Sequence, residues 1–182
     1  LFISCLIGLP LGTFLATQSF KGRNLLIGII NSLMSLPPVV VGLFVYINLS
    51  RSGPFGWLGI LYTPTAMIIA QIILILPIIA GLTTQIIEDL QENYNDLFIS
   101  LVTPKVTTIK AYIIDARYSL ITVVLAGLAK GISEVGAVII VGGNIDHLTR
   151  VMTTTITMET SKGDLSLALA LGIILLTTSI TI

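Results

Sequence analysis

The chain has 182 residues, 54% of them hydrophobic and only 10% charged, against roughly a quarter charged in an ordinary soluble domain. With a mean hydropathy of +1.03 and long uncharged runs, this composition excludes a water-soluble globular domain and places the chain in a lipid bilayer. Nine basic and nine acidic residues cancel, so no charge excess argues for a nucleic-acid partner, and a single cysteine, Cys5, excludes an internal disulfide or a cysteine-ligated zinc.

The sequence begins and ends inside apolar stretches, at Leu1 and Ile182, and reads as a fragment truncated at both ends. Leu1 to Phe20 carries no charge and is closed by Lys21 and Arg23, the flank expected of a first span over 1–20. Asn24 to Ser50 is an uncharged run of 27 residues, about 40 Å as a helix and enough to cross a hydrocarbon layer about 30 Å thick. Pro37 and Pro38 near its middle remove two backbone donors, so this second span, 25–50, is expected to kink and to turn its freed carbonyls inward.

Arg51 to Pro64 is rich in Gly, Pro, Ser and aromatics and reads as an interfacial loop. A third span over 65–87, interrupted by Pro77, is ended by Glu88 and Asp89. Eight of the eighteen charges then fall between Glu88 and Arg117, the mark of a soluble loop over 88–111. A fourth span, 112–141, carries Lys130 and Glu134 and is broken by Gly142, Gly143 and Asn144; a polar stretch from Asp146 to Asp164 leads to a fifth, 165–182. The fold class is therefore all-α, a polytopic membrane protein of about five helices in one domain. Counting basic residues, Lys21, Arg23, Lys105, Lys110 and Arg117 on one side against Arg51, Arg150 and Lys162 on the other puts the 88–111 loop in the cytoplasm and Leu1 outside.

Little here points to catalysis. The lone His147 lies in a polar segment beside Asp146 and reads as solvated, and no GxxxxGK[ST] phosphate loop is present. Neither a metal site nor a resident cofactor is expected. An ionisable group in a span is costly and marks a pathway, a relay or a buried pair. Glu134 lies four residues after Lys130 on the same helix face, so either the two neutralise each other or Lys130 snorkels to the interface, or they form a path or gate element. Gly142, Gly143 and Asn144 either end a helix or offer backbone amides to an anion, and Thr153, Thr154, Thr155 and Thr157 add hydroxyls that suit a site or a solvated loop equally well. In the charged loop, Asp96-Leu97-Phe98-Ile99-Ser100-Leu101 has an apolar face and is ended by Pro104; that face packs on the protein's own helices or enters a groove on a cytoplasmic partner.

This loop resembles the coupling segment of permease subunits of ATP-binding-cassette importers. That family's motif runs Glu-Ala-Ala, three residues, Gly, then nine residues and Ile-x-Leu-Pro. Asp96, Leu97, Phe98 and Val102 stand at the Glu, Ala, Ala and Gly places, and Tyr112-Ile113-Ile114-Asp115 replaces the ending. Ser35-Leu36-Pro37-Pro38-Val39-Val40-Val41-Gly42-Leu43 is similar to the proline helix of molybdate, sulfate and tungstate permeases. Leu49 to Gly56, Thr63 to Met67, Asp115-Ala116-Arg117, Ile132 to Val138, Gly142-Gly143-Asn144 and Glu159 to Asp164 are similar to the tungstate type in particular.

The resemblance implies a type I importer permease in the plasma (inner) membrane, working as a homodimer. It would receive its oxyanion from an extracytoplasmic binding protein and would be driven by a separate ATPase subunit that holds the ATP, this chain being no enzyme. Tungstate is the expected substrate, molybdate or another oxyanion the alternative. A different class of reading, a secondary carrier or channel, would use Glu134 as its ion site. On the importer reading the coupling loop is Asp96, Leu97, Phe98, Leu101, Val102, Thr103 and Pro104. The translocation path or gate is Pro37, Pro38, Ser133, Glu134, Gly136, Gly143 and Asn144.

Overall fold

The computed structural model describes residues 1–101 and 103–181, and over these all the regular structure is helical. The helices are α1 (Phe2–Thr17), α2 (Arg23–Met34), α3 (Pro38–Leu49), α4 (Pro64–Ser100), α5 (Lys105–Asp115), α6 (Arg117–Ser133), α7 (Gly136–Gly142), α8 (Met152–Lys162) and α9 (Leu165–Thr181), with a 3₁₀ turn at Gly56–Leu58. No strand occurs among the described residues, in keeping with the all-α reading.

Several boundaries differ from the sequence reading. The expected second span is two helices, because Pro37 holds the chain extended at φ −63° and ψ 124° while Pro38 opens α3 at its first position, where a missing N–H costs nothing. The charged stretch after residue 87 is no open loop: α4 continues through Glu88 to Ser100, 37 residues in all, and runs unbroken past Pro77. Glu88, Glu92 and Asp96 recur every fourth residue along it, so the charges line one face of a helix. The expected fourth span is divided among α5, α6 and α7, with α5 and α6 meeting at 65°. The polar segment after Asp146 contains α8.

One described helix, α4 over Pro64–Tyr94, is by itself long and apolar enough to cross a bilayer. With each broken pair, α2 with α3 and α5 with α6, taken as one span, the number rises to three; α1 and α9 are apolar but shorter, at 16 and 17 residues.

The chain divides into two compact units, one formed by Leu1–Ser35 and Ile75–Leu128, the other by Leu36–Leu74 and the chain from Ala129 onward. In the first unit α1 lies against α4 so closely that a Cβ on Gly12 would stand 2.5 Å from the Ala80 carbonyl and 2.6 Å from Thr83 Cβ. Only a residue without a side chain permits that approach. The Thr84 hydroxyl donates to the Ala80 carbonyl at 2.8 Å, with the Gly12 carbonyl at 3.2 Å. Leu15, Ile30 and Ala80 pack together, as do Ile75, Ile79 and Val123, and Ala16, Ile87, Tyr112 and Ala116. In the second unit the core is built from residues four apart: Val41, Val45 and Leu49 of α3, Ala66, Ala70 and Leu74 of α4, and Ala137 and Val141 of α7. Such rows form the ridges that helices interlock.

Candidate functional site

In the first unit the expected coupling segment is the last turn of α4 and the entry to α5. Asp96, Leu97 and Leu101 are exposed, Leu97 at 51% and Leu101 at 64%. Phe98 turns the other way: it is half-buried, with its ring edge-on to Tyr112 at 5.4 Å between centroids. The two destinations weighed for this apolar face thus divide among its residues, Phe98 packing on the protein's own helices and Leu97 and Leu101 left outward. The Thr103 amide reaches back to the Phe98 carbonyl at 3.1 Å, and the Pro104 carbonyl accepts the amides of Thr107 and Thr108 at 2.9 and 3.1 Å. Val102 lies outside the described residues. A cavity of about 310 Å³ lies beside this turn, lined among others by Gln18, Phe98, Thr103 and Tyr112. Tyr112, which the sequence marked only as part of the run that replaces the motif's ending, is the inner wall of the segment.

The second unit holds the expected path residues, and it gathers them at the two ends of α7. At the near end, α6 stops at Ser133, whose hydroxyl donates to the Lys130 carbonyl at 3.2 Å. Glu134 is buried, 5% exposed, and its Oε1 accepts the Ala137 amide at 3.0 Å. This carboxylate satisfies an amide of the first turn of α7 that has no carbonyl partner within the helix. Lys130 Nζ stands 3.9 Å from Oε2 of the same carboxylate. A Cβ on Gly136 would meet Val39 Cγ2 at 2.9 Å, so the chain immediately after Pro37 and Pro38 packs on this break.

At the far end, Gly143 has φ +69°, with the Tyr62 ring 2.8 Å from where a Cβ would be. Asn144, also left-handed at φ +50°, accepts the Thr154 hydroxyl at 2.8 Å. Thr149 donates to the Gly142 carbonyl at 2.6 Å and accepts the Ile145 amide at 2.8 Å. The anion-binding role weighed for Gly142 to Asn144 finds little room here, because the Gly143 amide is taken by the Ile139 carbonyl and the Ile145 amide by Thr149. The helix-ending role fits instead.

The threonines sort by burial. Thr153 and Thr154 are buried, and Thr153 donates to the Glu134 carbonyl at 3.3 Å, so α8 ties both ends of α7. Thr155 and Thr157 turn back onto their own helix, to the carbonyls of Val151 and Thr153. Thr149 was missed by sequence reasoning, since a threonine in a polar stretch carries no mark of burial. His147 is exposed, and its amide donates to Asp146 Oδ1 at 3.1 Å. Beyond the helices' apolar runs, Asp164 precedes α9 and accepts the Leu167 amide at 3.1 Å and the Ser166 hydroxyl at 2.8 Å, bonds that hold its carboxyl below the usual carboxylate range.

Among the described residues, no group of three or more His, Cys, Asp and Glu is arranged to hold a metal ion. What the arrangement offers is a short helix pinned at both ends beside a buried carboxylate and an ammonium, together with an outward apolar helix end.

The chain is 43% identical over 180 residues to the tungstate uptake system permease protein of Peptoclostridium acidaminophilum, covering 99% of this chain and 79% of that protein. It is 37% identical over 179 residues to a probable anion ABC transporter permease protein of Haloferax volcanii, with 96% and 77% covered. To the tungstate uptake system permease protein of Campylobacter jejuni it is 36% identical over 157 residues, with 86% and 66% covered. Residues 8–182 match the family described as binding-protein-dependent transport system inner membrane component. This polytopic helical chain, with its pinned short helix and its helix end free of the core, belongs to that family of inner membrane transport components.

Proposed function

We propose that this chain is the membrane-embedded permease subunit of an ATP-driven importer for tungstate or a closely similar tetrahedral oxyanion. The observation that carries the substrate class is the 43% identity to a tungstate uptake permease over 99% of the chain. On this reading the chain lies in the plasma (inner) membrane, works as a homodimer and receives its anion from an extracytoplasmic binding protein. A separate cytoplasmic ATPase binds and hydrolyses ATP, and this chain holds no cofactor of its own.

The parts have distinct duties. The end of α4 is the coupling element: Leu97 and Leu101, half or more exposed, enter an apolar groove on the ATPase, while Asp96, Val102, Thr103 and Pro104 complete the segment and Phe98 joins it to the core. Closure of the ATPase on ATP then moves the α4–α5 turn as a body through the Phe98–Tyr112 contact. In the second unit Pro37, Pro38, Ser133, Glu134, Gly136, Gly143 and Asn144 shape the path, mainly as backbone architecture. The support is that breaks in helices, tolerated in a membrane only where they are buried in protein or line a cavity, fall at these residues.

The test is oxyanion uptake by proteoliposomes holding the full-length chain with its ATPase subunit, its binding protein and ATP. Uptake that requires all three, and that tungstate competes for better than sulfate, supports the reading; preferential competition by molybdate reassigns the substrate within the class. Gradient-driven flux from the chain alone, abolished by Glu134→Gln, overturns the reading in favour of a secondary carrier.

A further inference from the structure

Lys130 and Glu134 form a pair whose two members are held very differently. Glu134 is fixed by the backbone. One carboxylate oxygen accepts the Ala137 amide, and the Thr153 hydroxyl donates to its main-chain carbonyl. Its position therefore does not depend on Lys130. Lys130 is looser: its side chain is 31% exposed, its Nζ stands 3.9 Å from the remaining carboxylate oxygen, and among the described residues no acceptor lies within hydrogen-bond distance of it. An engaged ammonium–carboxylate pair sits at about 2.7–2.9 Å, so three donors are available where one full partnership would be expected.

The surrounding polar side chains do not use those donors. Ser133 turns its hydroxyl back to the Lys130 carbonyl, and Gln71 donates to the Gly131 carbonyl at 3.4 Å. Both satisfy backbone at the end of α6 and leave the ammonium to itself. Lys130 lies in the last turn of α6, and an ammonium in a segment this apolar, where it does not reach to the interface, faces the protein's interior or a water-filled path.

We infer that Lys130 is a transient binding group for the transported oxyanion, with Glu134 as the resident counter-charge it leaves when the anion arrives and rejoins when the anion departs. This rests on the permease reading above. The charges make the exchange workable in both directions. At rest the pair is neutral, which spares an apolar segment an uncompensated charge. A dianion offers the ammonium more negative charge than one carboxylate with a single unoccupied oxygen. Glu134 cannot follow, because Ala137 holds it, and it repels the bound anion. Binding is thereby favourable enough to admit the anion and weak enough to release it, as conduction requires.

The experiment measures oxyanion moved per ATP hydrolysed in proteoliposomes containing the full-length chain, its ATPase subunit and its binding protein, with tungstate as the probe. Lys130→Gln is expected to lower that ratio about tenfold, the loss of one charge-assisted contact. Lys130→Arg, which keeps the charge, recovers most of it. The decisive variant is the double substitution Lys130→Gln with Glu134→Gln, which is neutral and keeps an acceptor for the Ala137 amide. If Lys130 touches the anion, the double variant remains as low as Lys130→Gln. Recovery of the wild-type ratio in the double variant means that Lys130 only neutralises Glu134, and overturns the inference. A wild-type ratio in Lys130→Gln overturns it as well, and so does Lys130→Arg falling as far as Lys130→Gln. The unsubstituted complex is measured first: absence of ATP-driven tungstate uptake there overturns the permease reading itself and the inference with it.

Discussion

The Arg23 guanidinium binds the Glu88 carboxylate of α4 and in the same pose donates through Nε to the Leu15 carbonyl at 2.6 Å. One side chain thus closes the C-terminal end of α1, where carbonyls lack intrahelical partners, and ties α1 to α4. The two members of the pair are therefore unequal. Arg23→Ala should cost about 2 kcal/mol, since it leaves a carboxylate and helix-end carbonyls without a donor, whereas Glu88→Gln should cost under about 1 kcal/mol. Thermal unfolding in detergent, comparing the two variants, checks the order; equal losses would mean that the α1 contact contributes nothing.

The contact of α1 with α4 is set by the space at Gly12. Gly12→Ala puts a methyl group 2.5 Å from the Ala80 carbonyl, backbone that cannot step aside, and should destabilise by about 1–3 kcal/mol. Gly28, inside α2 with nothing within 4 Å of its would-be Cβ, is the contrast: Gly28→Ala should stabilise by about 0.5–1 kcal/mol through helix propensity. Opposite signs in the same melting assay are the expected result.

At the end of α4 the apolar residues carry separable duties. Phe98→Ala removes the edge-on contact with Tyr112 and should lower stability by about 1–2 kcal/mol. Leu97→Ala and Leu101→Ala, at exposed positions, should change stability by less than about 0.5 kcal/mol yet reduce recovery of the ATPase subunit on affinity purification. Undiminished recovery in a Leu97→Ala, Leu101→Ala double variant would remove this turn from the interface.

Thr149 serves two backbone groups, the Gly142 carbonyl and the Ile145 amide, at 1% exposure. Thr149→Val keeps the shape and removes both bonds, so about 2–3 kcal/mol should be lost, while Thr149→Ser should retain most of it. Equal melting temperatures for the Val and Ser variants would refute the accounting.

Asp164 adds a pH dependence of known sign. Its carboxyl is held below its ordinary range by the Leu167 amide and then the Ser166 hydroxyl. A carboxyl lowered on folding contributes stability that is present above the unfolded value, near 3.9, and is lost as pH falls through the folded one. Asp164→Asn keeps an acceptor at the start of α9 but cannot titrate. The variant should therefore melt less steeply with falling pH than the wild type below about pH 4, and parallel profiles would exclude the contribution.

Much of this architecture was written in local chemistry, and the exceptions have identifiable causes. Pro37 and Pro38 announce a discontinuity, because a missing donor and a restricted preceding residue act within a few positions. Lys130 and Glu134 announce a pair through their spacing of four. The run of α4 past Glu88 was hidden by reading charge as solvent exposure, although Glu88, Glu92 and Asp96 already follow the helical repeat. Which of Leu97, Phe98 and Leu101 turns inward depends on Tyr112, fourteen residues beyond Phe98, and no local rule carries that information. The burial of Thr149, Thr153 and Thr154 likewise follows from α7 lying beside them.

A seven-residue helix has too few internal hydrogen bonds to persist alone, and α7 persists because Thr149, Thr153 and Thr154 hold its two ends. Its opening is consequently not its own event. Amide hydrogens of Ile139 and Ile140 should exchange with solvent deuterium on the timescale of α8 rather than fray residue by residue, so that the two helices keep a common clock.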